Sequence, residues 1–87
     1  MATVILVDAL ARLFPGAPRM LEIEAGDVAG VIEALDARWP GMRDRLCDST
    51  PRIRRHLNIF VDSQKACLGT PVTPHSEVLV MTAMSGG

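Results

Sequence analysis

The sequence has few aromatic residues and no excess of positive charge, and several common functions depend on these features. It contains no tyrosine, one tryptophan and two phenylalanines among 87 residues. Proteins that bind single-stranded nucleic acid stack the bases on aromatic side chains, so this composition argues against that function. The net charge of −1 also lacks the positive excess that attracts nucleic acids and anionic membranes. We therefore expect neither nucleic acid nor a membrane among the partners.

Cysteine is equally scarce. Cys47 and Cys67 do not form a Cys-x-x-Cys pair, and His56 and His75 lack the spacing of zinc ligands. Secreted domains of this size usually carry several disulfides. The N-terminus has no basic leader, and no apolar run is long enough to span a membrane. These absences predict a reduced, cytoplasmic protein that holds no metal.

Motifs for catalysis are also missing from the interior of the chain. It has no glycine-rich phosphate loop, no nucleophile elbow and no Ser/His/Asp set at a useful spacing. A chain of 87 residues buries a thin core and leaves little room for a deep cleft. The sequence therefore does not predict an enzyme.

The sequence does contain a clear succession of strand and helix patterns. Strands are recognised by β-branched runs or by alternation of apolar and polar residues. Phe14-Pro15-Gly16-Ala17-Pro18 is a turn, which predicts a hairpin from the two strands around it. The strands are predicted over 3–7, 20–24, 56–61 and 77–81, with a short edge strand over 65–68.

One main helix is predicted between the hairpin and the third strand. Asp27 suits the N-cap, and Pro40-Gly41 ends the helix. Gly30 costs helix stability, so we expect close packing of its backbone on the sheet in compensation. Met42 and Leu46 predict a further helical turn. The apolar stripe of the main helix comprises Val28, Val31, Ile32, Leu35 and Trp39.

The order β-β-α-β-(β)-β defines the predicted architecture. The first and last strands are the most hydrophobic, so they belong at the sheet centre and pair in parallel if they are neighbours. We predict an α+β protein with β-grasp topology, a mixed sheet of four to five strands with one main helix packed on one face. Residues 1–82 form this domain, and residues 83–87 form a flexible tail.

Strand parity predicts a docking patch for a partner. If Leu57, Ile59 and Val61 face the helix, Phe60 faces outward. The same parity places Leu79 and Met81 outside, where they join Phe60 and the tail residue Met84 in an apolar patch. The alternative is that the irregular segment 69–76 covers Phe60.

The segment Ser85-Gly86-Gly87 directly follows the last strand. One interpretation is a frayed end that contains glycine by chance. The other is functional, because residues without Cβ pass through a narrow channel that larger residues block. An α-carboxylate on Gly87 is ionised at neutral pH and is a nucleophile toward the α-phosphate of ATP. The product of that attack is an acyl-adenylate that a sulfur or amine nucleophile can open.

These features resemble the ubiquitin-like sulfur carriers of the MoaD/ThiS family, which include the small subunit of molybdopterin synthase. The resemblance covers the whole chain. The best local matches are Leu57-Asn58-Ile59-Phe60-Val61 and Glu77-Val78-Leu79-Val80-Met81 running into Ser85-Gly86-Gly87. Two features depart from the family pattern. Pro74-His75-Ser76 stands where Asp-Gly is frequent, and Thr82 stands where proline is common.

The resemblance implies a function for the tail. A ubiquitin-activating-like adenylyltransferase would use ATP to adenylate Gly87, and a sulfur donor would convert the adenylate to a thiocarboxylate. Gly86 and Ser85 would allow passage of the tail, and a biosynthetic enzyme would accept the sulfur for molybdopterin, cysteine or a related metabolite. The chain would be a protein cosubstrate with no tightly bound cofactor. Two alternatives remain, namely a modifier conjugated to lysine and a plain β-grasp interaction module.

Overall fold

The structure is a computed structural model that describes residues 1–47, 53 and 57–82. The predicted tail, residues 83–87, lies outside the described residues, as does His56. The strands and helices follow one another along the chain in the order β1 Ala2–Leu6, α1 Asp8–Ala11, β2 Met20–Ile23, α2 Val28–Arg38, α3 Met42–Leu46, β3 Leu57–Val61, β4 Gln64–Lys65 and β5 Glu77–Thr82.

The five strands form one mixed sheet in the order β2-β1-β5-β3-β4. β1 and β5 pair in parallel, with Val4 opposite Val78, and the other pairs are antiparallel. The predicted central and parallel placement of the first and last strands is therefore confirmed. This placement follows from the apolar character of the two strands, because the side chains of a central strand are shielded from water by a neighbouring strand on each side.

The hydrophobic core lies between one face of this sheet and helix α2. Val4, Val80 and Ile59 occupy neighbouring strands and are buried. The core includes Val28, Val31, Ile32 and Leu35 of α2, which are at most 2% exposed. The predicted apolar stripe thus packs in the core. Trp39 is half-buried at the C-cap of α2 and packs against the core. The β-grasp fold predicted from the sequence is confirmed.

Helix α2 begins as predicted. The carboxylate of Asp27 accepts a 2.7 Å hydrogen bond from the backbone N–H of Gly30, which is an N-cap interaction. The expected packing of Gly30 on the sheet is wrong. A Cβ at Gly30 would lie 3.2 Å from both the Ala25 Cβ and the Asp27 Oδ1, so the crowding comes from the loop before the helix. The further turn predicted after Gly41 is α3.

Two local features differ from the prediction. Residues 8–11 form the short helix α1, which closes over the core through the buried side chain of Leu10. The edge strand β4 covers only Gln64 and Lys65, not residues 65–68. Asp62 and Ser63 have positive φ angles of 51° and 72°, and they form the two-residue turn that joins β3 to β4.

The segment after β4 packs on the first turn of α2. The N–H groups of Val28 and Ala29 donate to the carbonyl oxygens of Thr70 and Leu68 at 3.0 and 2.9 Å. Since Asp27 accepts from Gly30, three of the first N–H groups of the helix have partners inside the chain. None of the three helices in the described part of the chain has the length and apolarity to cross a membrane.

Candidate partner-docking surface

Strand β5 places alternate side chains in the core and on the opposite face of the sheet. Val78 and Val80 are buried in the core, while Leu79 and Met81 point to the other face and are half-buried. We call this second face the outer face. The alternation follows from the period of two along a strand. Leu79 and Met81 therefore lie where the sequence predicted them.

The strand register extends this surface across four strands. On the outer face Ile5 of β1 pairs with both Met20 and Leu79, and Leu79 pairs with Phe60. We call these four residues, Met20, Ile5, Leu79 and Phe60, the apolar row. Met20 is 63% exposed, and the other three side chains are half-buried. An apolar row on an open sheet face is typical of a surface that binds another protein.

Two members of the apolar row were missed in the sequence. Ile5 stands between Val4 and Leu6, which face the core, so the period of two along the strand predicts its outward orientation. Met20 becomes a neighbour of Ile5 only through the register of β1 and β2. That register joins residues far apart in sequence and is not encoded locally.

The predicted patch is only partly within the described residues. Phe60 and Leu79 are direct cross-strand partners, and Met81 pairs with Asn58, two residues before Phe60 in β3. Met84 and the tail residues Ser85, Gly86 and Gly87 lie outside the described residues. The docking role of the patch therefore stays a prediction.

A shallow hollow opens beside the apolar row. It measures about 250 Å³ and is lined by Phe60, Ser63, Glu77 and Leu79. No residue of segment 69–76, the segment expected to cover Phe60 in the alternative interpretation, is among these four. Instead, the Thr70 carbonyl oxygen of that segment accepts from the Val28 N–H of α2, and the Val72 N–H donates to the carbonyl oxygen of Gly26 in the loop before α2.

The edge of the hollow is held by reciprocal hydrogen bonds between β5 and the turn after β3. The Asp62 N–H donates to the Glu77 carbonyl oxygen at 2.9 Å. The Glu77 N–H donates to the Asp62 carboxylate, also at 2.9 Å. This pair fixes the positive-φ turn at Asp62 and Ser63 against β5.

Within the part of the chain that the structure describes, Cys47, Cys67 and His75 do not form a second site. Cys47 is buried, and Cys67 and His75 are exposed. The described residues contain no group of three His, Cys, Asp or Glu side chains placed to hold a metal ion. The hydroxyl of Thr70, 3.5 Å from the Cys67 sulfur, and the Gly69 backbone lower the pKa of this thiol below its ordinary value.

Comparison of the sequence with protein-family models and with curated proteins finds no match. Solved structures do match. The chain is 21% identical, with a TM-score of 0.86 and full coverage of both chains, to a chain in the crystal structure of the Amycolatopsis orientalis BexX/CysO complex. The chain is also 22% identical to Mycobacterium tuberculosis CysO, with a TM-score of 0.84. That match covers 97% of this chain and 100% of CysO.

A third similar structure is that of a protein named as a modifier. The small archaeal modifier protein 1 of Methanosarcina acetivorans is 20% identical, with a TM-score of 0.78, and covers 99% of this chain and 95% of that one. Similarity at this level of identity establishes the ubiquitin-like β-grasp fold. The fold by itself does not specify the chemistry.

Proposed function

We propose that this chain is a sulfur carrier that receives sulfur on the carboxylate of Gly87. The observation that carries the proposal is the position of β5. This strand lies in the middle of a β-grasp sheet and ends at Thr82, five residues before Gly87. Five extended residues reach roughly 16 Å, which is enough to enter the active site of a second protein.

The chemistry requires a free carboxylate on Gly87, an activating enzyme, ATP and a sulfur donor. A carboxylate oxygen attacks the α-phosphorus of ATP and pyrophosphate leaves, which gives an acyl-adenylate. Hydrosulfide from the sulfur donor then attacks the acyl carbon and AMP leaves, and the thiocarboxylate that results passes its sulfur to a biosynthetic enzyme. In this scheme the chain is a cosubstrate, and the adenylyltransferase supplies the catalysis.

The similar structures support the general class of this proposal. One belongs to the crystal structure of a BexX/CysO complex, and another is named a small archaeal modifier protein. By analogy, we propose that the predicted docking patch, including Phe60, Leu79 and Met81, binds the activating enzyme and the sulfur acceptor. Apolar side chains on an open sheet face are suited to such contacts because their burial on binding is favourable.

A second candidate function is conjugation to lysine. It is favoured by the likeness to a protein named as a modifier. Both functions begin with the same adenylate. They differ in whether sulfur or a lysine amine opens it, so lysine-linked adducts in extracts of the native host would favour the modifier.

The first experiment is the intact mass of the Cys47→Ser/Cys67→Ser variant isolated from its own host, before and after thiol alkylation. Removing both cysteines leaves a thiocarboxylate as the alkylatable group. Alkylation also separates sulfur gain from methionine oxidation, which adds nearly the same mass. We expect a modified species in the peptide that ends at Gly87. A chain that continues beyond Gly87 in the mature protein would contradict the proposal.

The second experiment measures pyrophosphate release with the purified ubiquitin-activating-like enzymes of the same organism. Deletion of Gly87 should abolish release, and Gly86→Ala should reduce it about tenfold, because a Cβ narrows the passage of the tail. Gly69→Ala is the matched control, since a Cβ there meets no atom within 4 Å. Equal rates for Gly86→Ala and Gly69→Ala would contradict the proposed role of Gly86.

A further inference from the structure

The hollow beside the apolar row combines an apolar floor with an acidic edge. Phe60 and Leu79 are half-buried and form the floor, whereas Ser63 and Glu77 are exposed at its rim. The Asp62 carboxylate accepts a hydrogen bond from the Glu77 N–H and is therefore a second carboxylate at this edge. Among the ion pairs of the described residues, neither involves Glu77 or Asp62. The acidic edge is therefore available to a basic group from outside the chain.

The dimensions of the hollow favour a side chain over a metabolite. Small-molecule sites usually enclose roughly 300–1,000 Å³. This hollow measures about 250 Å³ and opens to solvent on the outer face. A long side chain with an apolar stem and a charged head fits such a shape, because the stem covers the apolar floor while the head reaches the polar rim beside it.

Arginine has the chemistry that complements these four residues. Its stem packs on Leu79, and its guanidinium group, which lies where the floor meets the rim, stacks on the ring of Phe60. The same group donates two parallel hydrogen bonds to a carboxylate, and Glu77 supplies the carboxylate. Lys65 pairs with Phe60 on the β4 side, so repulsion directs an incoming cation toward the Glu77 side.

We propose that this hollow receives an arginine side chain of the enzyme that adenylates Gly87. The identity of the partner rests on the proposed function. The hollow lies on β5, and Glu77 is five residues before Thr82, where the strand ends. That separation corresponds to about 16 Å along the strand. Phe60 and Leu79 belong both to the apolar row and to the hollow, so an enzyme that covers the row also covers the hollow.

The test is the concentration dependence of pyrophosphate release for the full chain. Glu77→Gln keeps the backbone hydrogen bonds and the size of the side chain but removes the charge. We expect its KM to rise about tenfold with kcat unchanged, because a charge-assisted hydrogen bond is lost before the chemical step. The increase of KM with salt should also be weaker than in the wild type, since a steering charge is missing.

Glu33→Gln is the matched control, because Glu33 is an exposed carboxylate on α2 that pairs with Arg43. Its KM should stay within twofold of the wild-type value. A second variant, Phe60→Leu, keeps an apolar floor but removes the ring, and we expect a KM increase of about threefold. Equal KM values for Glu77→Gln and Glu33→Gln would overturn the arginine proposal while leaving the sulfur-carrier proposal intact.

If the wild-type chain supports no pyrophosphate release, the proposed function is overturned, and the hollow is tested by an independent titration. In this titration, N-acetyl-arginine amide is added to the isotope-labelled chain and followed by NMR. The neutral control is N-acetyl-citrulline amide, which has nearly the same shape. Shifts of the Ser63 and Glu77 amides with arginine alone support an arginine site. Equal shifts with both compounds, or none with either, overturn it.

Discussion

Cys67 shows how its neighbours change the chemistry of one exposed side chain. The Thr70 hydroxyl, 3.5 Å from the sulfur, and the Gly69 backbone lower the pKa of this thiol. A lower pKa means that a larger fraction is thiolate near neutral pH, and the thiolate is the reactive form. Cys47 is buried in the core and lacks this access to solvent.

We therefore expect Cys67 to be alkylated by iodoacetamide in the folded protein while Cys47 is protected. Thr70→Val removes the hydroxyl, raises the pKa of Cys67, and should slow alkylation about threefold at pH 7.5. The pH–rate profile should move to higher pH. Thr70→Ser keeps the hydroxyl and should behave like the wild type. Identical profiles for the valine and serine variants would contradict this assignment.

Helix α2 depends on a single capping side chain at its start. Asp27 accepts the hydrogen bond from Gly30 at 2.7 Å, and the loop carbonyls of Thr70 and Leu68 serve the N–H groups of Val28 and Ala29. At the other end, the Asp36 carboxylate accepts from the N–H groups of Gly41 and Arg43 at 3.1 and 3.0 Å and links α2 to α3. Both ends of the helix are thus fixed by polar contacts.

Asp27→Ala should destabilise the fold by about 1 kcal/mol, because it leaves the Gly30 N–H without its cap. In a domain of this size that loss lowers Tm by about 4–8 °C, measurable by circular dichroism. Asp27→Asn keeps a side-chain oxygen at the cap position and should retain most of the stability. The assignment would be wrong if the alanine and asparagine variants melted at the same temperature.

At the scale of the whole molecule, strands from opposite ends of the chain meet at the sheet centre. β1 covers Ala2–Leu6 and pairs with β5, which covers Glu77–Thr82. The described buried residues extend from Ala2 to Val80. The long loop closure that this pairing requires favours slow folding relative to helical proteins of the same length.

We expect removal of residues 1–6 to leave the chain unfolded. The deletion removes the buried side chains of Val4 and Leu6, worth about 1.5–3 kcal/mol each, and breaks the pairing of β1 with both β2 and β5. Domains of this length are stable by roughly 4–13 kcal/mol. Removal of residues 83–87 should keep Tm within about 2 °C, and a thermal melt of both truncations compares them. A folded chain without β1 would contradict this account.

Much of the fold follows from local patterns. The alternation around Leu57, Ile59 and Val61 and the stripe on α2 specify which side chains enter the core, because burial selects for periods of 2 and 3.6. Helix α1 could not be predicted in the same way. It has four residues and no capping side chain, and its formation coincides with the burial of Leu10 under other elements.

The sequence by itself determined the order of elements, the central place of β1 and β5, the cap at Asp27 and the outward direction of Phe60 and Leu79. All of these depend on residues close together in the chain. Only the tertiary structure decided that Met20 and Ile5 extend the apolar row, and that Glu77 meets Asp62 and Ser63 at one hollow. The physical reason is that strand register and turn packing join distant segments, and their contacts exist only after the sheet has formed.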